Sequence, residues 1–237
     1  MSTEKISEYW DARAEENPFY FVDNRLSYSE PDLERFWAGG VVSLDRVLDS
    51  VGAVLKPEDE VLEVGCGVGR LTREIAARSA SVRAIDVSER MIEAARELNE
   101  GLTNVEWIVG DGTTLAPIPD AAVDACVSDV VFQHIPDPEI TLGYVREMAR
   151  TLRAGGWAAF QTSNDPSVHR KRSTLERARA RARALLGRGP RGQTHAAWLG
   201  SAIDLEALRE AAAASDAEIE RVANPGTQYC YALMRKR

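Results

Sequence analysis

The chain has little cysteine: three in 237 residues, Cys66, Cys126 and Cys230, far apart and without C-x-x-C spacing. That argues against a disulfide framework or a cysteine zinc site and makes the thiols small core residues. No apolar run approaches the roughly 20 residues of a membrane span. The N-terminus, MSTEKISEYWDARAEEN, is polar and acidic where a secretory signal would be basic and then apolar. A basic excess is missing too. The net charge of −8 argues against general nucleic-acid binding by the whole surface. What remains is ordinary for a globular chain, with 44% hydrophobic and 28% charged residues. The length suits one large α/β domain with a small cap, and a cytoplasmic location fits these absences.

The dinucleotide fingerprint G-x-G-x-x-G is also missing. Val61, Leu62 and Val64 read as a short buried strand, followed by Gly65, Gly67 and Gly69 at alternate positions. Leu71, Ile75 and Ala76 then recur at helical spacing. The order is strand, tight turn, helix, the place where α/β proteins bring backbone close to a nucleotide-like ligand. Arg70 occupies the third-glycine offset of the dinucleotide pattern, which disfavours a nicotinamide dehydrogenase. Glu63 lies two residues before Gly65, where it would repel a pyrophosphate and attract an ammonium or sulfonium group. The turn favours a cationic ligand.

The stretch E-x-G-x-G-x-G resembles motif I of the class I S-adenosylmethionine-dependent methyltransferases, in particular small-molecule enzymes of the ubiquinone and menaquinone type. The resemblance covers roughly Val61 to Thr162 and the flanks only in outline. It implies S-adenosylmethionine as cofactor, with Glu63, Gly65, Gly67 and Gly69 around its methionine end. A second strand, Ser81 to Ile85, ends at Asp86, which is followed by Val87 and by Ser88 as N-cap. Asp86 falls near the offset at which an acid clasps vicinal ribose hydroxyls in nucleotide-binding units. A third strand, Val105 to Val109, runs into Gly110-Asp111-Gly112. The family places an adenine contact at Asp111 and Gly112; read alone, G-D-G is a tight loop. A fourth strand, Val123 to Ser128, brings Ser128 and Asp129 to the edge where the methionine ammonium is expected.

The predicted fold is α/β: a Rossmann-like doubly wound sheet of about seven mostly parallel strands with helices on both faces. N-terminal helices occupy 1–55, the methyltransferase domain 56–237, and a basic helical insertion 165–200. A helix over Thr3–Glu16 carries Tyr9, Trp10 and Arg13. The family often uses such a helix as a lid, although Trp10 reads better as packing. Phe19 to Tyr28 is expected to be irregular, and Ser29-Glu30-Pro31-Asp32 starts a helix that Gly39-Gly40 breaks. A further helix then ends near Gly52. Helices are expected over Pro138–Leu152 and Asp204–Ala214. Gly155-Gly156 turns the chain into a strand to Thr162, where Ala154 replaces the family's proline in L-[RK]-P-G-G. Strands over Glu218–Val222 and Gln228–Met234 close the sheet, and the family inserts the last one antiparallel.

Methyl transfer from a sulfonium is an in-line displacement, so alignment in a dry pocket does much of the catalysis. His134, just past the fourth strand, is the candidate general base for a hydroxyl acceptor; the plainer reading is that it packs or caps the next helix. The absence of N-P-P-Y and D-P-P-Y after that strand disfavours amino-methylating DNA enzymes. Gln133, Gln161, His195 and Tyr9 are candidate acceptor contacts. Asp129 and Asn164-Asp165 offer oxygen ligands that suit magnesium, but Asn and Asp at strand ends more often form turns, and no metal is expected. From Arg170 to Arg191 there are nine Lys or Arg against one Glu. Ser173-Thr174-Leu175-Glu176 is a capping-box pattern there, and Leu175, Ala178, Ala182 and Leu185 form an apolar stripe ending at Gly187. Two readings stand for this segment: a solvated basic helix, or a lid attracting an anionic acceptor. The function expected is therefore O-methylation of a small molecule, without membrane or nucleic-acid partners. The alternatives are an RNA methyltransferase using the basic insertion and a non-catalytic nucleotide-binding protein. Neither acceptor identity nor oligomeric state is legible.

Overall fold

A computed structural model of the chain describes residues 3–170, 176 and 195–237. The capping box from Ser173, its stripe and most of the basic insertion lie outside the described residues. The elements are α1 (Thr3–Glu16), α2 (Pro18–Val22), α3 (Leu33–Val51), β1 (Glu60–Val64), α4 (Thr72–Ala76), β2 (Ser81–Asp86), α5 (Glu89–Leu98), β3 (Val105–Val109) and β4 (Val123–Ser128). A 3₁₀ turn (Phe132–His134) leads to α6 (Pro138–Thr151), β5 (Leu152–Thr162), α7 (Ala196–Leu199), α8 (Leu205–Ala213), β6 (Ala217–Ala223) and β7 (Cys230–Lys236).

Seven strands form one sheet in the order β3-β2-β1-β4-β5-β7-β6. β1 to β5 pair in parallel, and β7 lies antiparallel between β5 and β6. Strand alternation divides the apolar residues between two faces. Leu62, Cys126, Phe160 and Met234 pack with Leu142, Val145, Met148 and Leu208 of α6 and α8. Val61, Val127, Ala159 and Leu233 pack with Leu44, Val47, Val51 and Ile75 of α3 and α4. The order reverses between β1 and β4, so the carboxyl ends of these two strands frame the crevice where such sheets bind ligands.

Three local expectations change. Phe19 to Tyr28 contains α2: Pro18 starts it, and the Asn17 side chain accepts the Tyr20 N–H at 3.1 Å. Gly155-Gly156 lies within β5, as a shift of register against β4, rather than before it. Gly39-Gly40 does not break a helix, because α3 runs through both. Its start is as expected, with Asp32 accepting the Arg35 N–H at 2.9 Å. The glycines are there for close approach, since a Cβ on Gly40 would overlap the Arg70 carbonyl oxygen. Gly40→Ala is therefore expected to lower the melting temperature. Alanine gains about 1 kcal/mol of helix propensity, but forcing a methyl against backbone costs about 1–3 kcal/mol, and α3 must also shift from the glycine turn. Thermal denaturation checks this; a higher melting temperature would count against the close-approach reading.

α1 docks onto the start of α5. Asp11 Oδ1 accepts the Ser88 hydroxyl at 2.6 Å and the Arg90 N–H at 3.2 Å, while Ser88 caps Met91 N–H at 3.1 Å. This clasp places Ile6 and Trp10 over the crevice.

Candidate functional site

β1 delivers the chain into the crevice at Val64, and Gly65, Gly67 and Gly69 follow with φ of 78°, 53° and 86°. The Gly65 and Cys66 N–H groups donate to the Ile85 carbonyl at 2.7 and 3.1 Å, tying the turn to β2. Asp86 Oδ2 accepts the Gly67 N–H and Oδ1 the Ser88 N–H, both at 2.9 Å. Burial raises the Asp86 pKa, with these N–H groups opposing the shift. The cavity in front of the turn opens to solvent, with about 1020 Å³ of empty space in and before it. Gly65, Gly67, Asp86, Val87, Gly112 and His134 of the predicted set line it, with Met91, Val131 and Tyr144 supplying apolar walls.

Other predicted residues stand behind this wall. Glu63 is buried and accepts the Thr72 hydroxyl at 2.5 Å. Burial pushes its pKa up to about 7, although the Thr72 bond pulls the other way. Gly69 makes room for Trp107 and Asn99, either of which a Cβ would crowd. Asp111 accepts N–H and O–H bonds from both Thr113 and Thr114, an Asx turn closed on itself, and its neighbours Gly110 and Gly112 line the cavity instead. The Ser128 hydroxyl donates to the Val64 carbonyl at 2.9 Å, joining β4 to β1. Tyr9 and His195 stack with ring centroids 4.4 Å apart, linking α1 to the segment before α7. Burial pushes the Tyr9 pKa up to about 12. Trp10, read as packing, lines the cavity and also meets the His134 ring edge-on at 5.7 Å.

Asp129 lines the same cavity with a fully buried side chain. Its Oδ2 pairs with Arg46 Nη2 at 2.9 Å, and its Oδ1 is buried without a hydrogen-bond partner among the described residues. Burial raises its pKa against the opposing charges of Arg46 and Arg70. Asn164 holds the Ile203 carbonyl and the Gly226 N–H, and Asp165 accepts the Ser167 N–H. Among the described residues no cluster of three His, Cys, Asp or Glu has the placement to hold a metal ion.

The polar network behind His134 has one self-consistent orientation. Gln161 Oε1 accepts the Val130 N–H at 3.2 Å, so its Nε2 donates to Gln133 Oε1 at 3.1 Å. The Gln133 amide nitrogen is then left to donate to His134 Nε2 at 3.2 Å. His134 Nδ1 faces the Trp198 carbonyl at 2.9 Å, which can only accept, so Nδ1 carries the proton and Nε2 the lone pair. Burial pushes the His134 pKa down to about 4. The network also holds Val130 at φ 60°, a conformation that strains a β-branched residue.

A second cavity, with about 1220 Å³ of empty space, meets the first at Phe21, Val22, Arg70, Val130 and His134. Its walls include Arg25, Arg46, Gln133, His169 and Tyr229. Local pattern gave no sign of Arg46. Arg70 was legible as a residue replacing a glycine, although its reach into both cavities was not.

Residues 62–160 match the family model described as a methyltransferase domain. Over 170 residues the chain is 28% identical to a ubiquinone biosynthesis O-methyltransferase of Nitrosomonas europaea, covering 69% of this chain and 63% of that one. It is 34% identical over 98 residues to a demethylmenaquinone methyltransferase of Tropheryma whipplei, covering 41% of this chain and 39% of the relative. The chain thus spans less than two thirds of either relative. An S-adenosylmethionine-dependent methyltransferase structure from Mesorhizobium loti superposes with a TM-score of 0.60 at 18% identity, over 81% of this chain and 96% of that one, a likeness of fold. Residues 62–160 are thus a methyltransferase domain, and the parallel sheet with its antiparallel seventh strand and the glycine turn under Asp86 has the class I S-adenosylmethionine-dependent methyltransferase fold.

Proposed function

We propose that this chain binds S-adenosylmethionine in the first cavity and transfers its methyl group to a hydroxyl oxygen of a small molecule held in the second. The observation that carries this reading is that the two cavities meet at His134. The residues present suit the cofactor. Asp86 keeps acceptor capacity for ribose hydroxyls, Gly110 and Gly112 line the cavity without side chains, and Asp129 Oδ1, without a partner among the described residues, suits an ammonium. When bound, the cofactor supplies an electrophilic methyl group on a sulfonium. The names of the two curated relatives, both quinone-pathway methyltransferases, support a small-molecule acceptor. No helix among the described residues is long and apolar enough to cross a membrane.

His134 receives the hydroxyl proton at Nε2, displacing the 3.2 Å contact from Gln133. The burial that keeps the imidazole neutral also makes it a weak base, so alignment supplies more of the rate than proton removal. His134→Ala is expected to lower kcat on a hydroxyl acceptor by about 10²-fold, the lower end for a positioned base, with S-adenosylhomocysteine affinity within threefold of wild type. A lowered folded pKa means the base is lost only as pH falls through about 4. So kcat/KM should be flat between about pH 6 and 8, instead of falling near the ordinary histidine value of about 6.5. Mass-spectrometric detection of methylated products from a panel of phenols and matched amines tests the reading. Methylation of amines alone, or an unchanged rate in His134→Ala, would overturn the oxygen-and-base assignment.

A further inference from the structure

The second cavity has an excess of positive charge that its own side chains do not balance. Three guanidinium groups line it, those of Arg25, Arg46 and Arg70, and Asp23 is its one lining carboxylate. Asp23 is engaged by Arg25, which donates Nε at 2.7 Å and Nη2 at 2.6 Å. The Arg25 N–H also donates to Asp23 Oδ1 at 3.2 Å, and Arg70 Nη1 lies 3.8 Å from the Oδ2 that Arg25 already holds. Arg70 is 7% exposed in its side chain; Nη1 donates to Ser43 Oγ at 3.2 Å, and Nε is buried without a partner among the described residues. Arg46 gives Nη2 to Asp129, and its Nε is likewise buried without a partner. A buried donor without an acceptor loses its hydration for nothing, a penalty of about 1–3 kcal/mol that rises when the group is charged. Two such guanidinium nitrogens, Arg46 Nε and Arg70 Nε, and three guanidinium groups against one lining carboxylate describe a site complementary to an anion.

We propose that the second cavity binds an anionic end of the methyl acceptor, a carboxylate or phosphate, with Arg46 and Arg70 as its principal ligands. The assignment rests on the methyl-transfer reading above. A guanidinium presents two parallel N–H groups to a planar or tetrahedral oxyanion, giving orientation as well as charge. Because Arg70 and His134 line both cavities, an acceptor anchored at the arginines extends toward His134, where its nucleophile meets the cofactor. Arg46 lines only the second cavity and reaches the first through its ion pair with Asp129.

Inorganic phosphate titrated into protein saturated with S-adenosylhomocysteine provides the test, followed by calorimetry or by the fluorescence of Trp198. Saturable binding is expected, weakened about tenfold or more in Arg46→Gln, as loss of a hydrogen bond to a charged group implies. Arg46→Lys, which keeps a positive charge beside Asp129, should recover part of that loss. Binding of S-adenosylhomocysteine by both variants reports that the fold survives, and a loss of its affinity as large as the loss for phosphate would overturn the assignment, because the Arg46–Asp129 pair would then serve the cofactor. Acetate in place of phosphate distinguishes a carboxylate end from a phosphoryl end. Mutual exclusion of phosphate and S-adenosylhomocysteine would overturn the proposal, because the arginines would then hold the cofactor's own carboxylate. So would equal phosphate affinity in wild type and Arg46→Gln. Wild-type protein that binds phosphate but no S-adenosylhomocysteine would instead remove the methyl-transfer reading, and the acceptor assignment with it.

Discussion

Asp86→Ala is expected to weaken S-adenosylhomocysteine binding by about 10²- to 10⁴-fold, as removing two hydrogen bonds to a charged group at about 1.5–3 kcal/mol each implies. A carboxylate offers about four acceptor positions. Gly67 N–H and Ser88 N–H take one on each oxygen, and the Val87 N–H also donates to the group. The remaining acceptor capacity faces the first cavity and suits the vicinal hydroxyls of a ribose. The variant also releases the Gly67 N–H, loosening the turn itself. Asp86→Asn keeps one acceptor oxygen and should fall between Asp86→Ala and wild type. Burial raises the Asp86 pKa, so wild-type affinity should decline with acidity at a higher pH than an ordinary carboxylate would give. Below that point the protonated group has lost its charge-assisted acceptance, and Asp86→Asn should lack this acid limb. Calorimetric titration reads all three effects. An affinity within threefold of wild type in Asp86→Ala would mean that the ribose is held elsewhere.

Asp86 was legible because its signal is local: a short strand carrying Val82, Ala84 and Ile85 ends in an acid at a fixed distance beyond a glycine turn. The α/β order was legible for the same reason, since each strand and each capped helix declares itself within a few residues. What the sequence hid depends on contacts between distant positions. Arg46 meets Asp129 across 83 residues, and Arg70 meets Ser43 across 27. No periodicity marks either pair. Gly39-Gly40 misled because glycine serves equally to end a helix and to admit another backbone, and only the Arg70 carbonyl decides between them. Glu63, Asp111 and Ser128 stand at the expected positions in the chain, yet each side chain already has a partner in its own neighbourhood. The position of a polar residue beside a ligand cavity is a property of the strand. Whether its side chain is free for the ligand is set by the hydroxyl or N–H next to it.

Gly65→Ala should cost both stability and cofactor affinity, and Gly155→Ala separates the two. The two glycines have nearly equal φ, 78° and 77°. A Cβ in this left-handed region costs about 1–2 kcal/mol at either position. At Gly155 nothing lies within 4 Å of the added methyl, so the conformational term is the whole effect. At Gly65 the methyl would overlap the Val131 side chain, a wall of the cofactor cavity, adding about 1–3 kcal/mol of overpacking. Relief must come from Val131 moving into the cavity or from the turn lifting off the Ile85 carbonyl, and either displaces the nucleoside. Gly155→Ala should therefore lower the melting temperature modestly and leave S-adenosylhomocysteine affinity unchanged. Gly65→Ala should lower the melting temperature further and weaken the nucleoside by about tenfold or more, as roughly 1.4 kcal/mol of the overpacking energy suffices for that. If both variants lost stability equally and bound the nucleoside equally well, the contact between Gly65 and Val131 would not shape the site, and the tight turn would owe its glycine to backbone conformation alone.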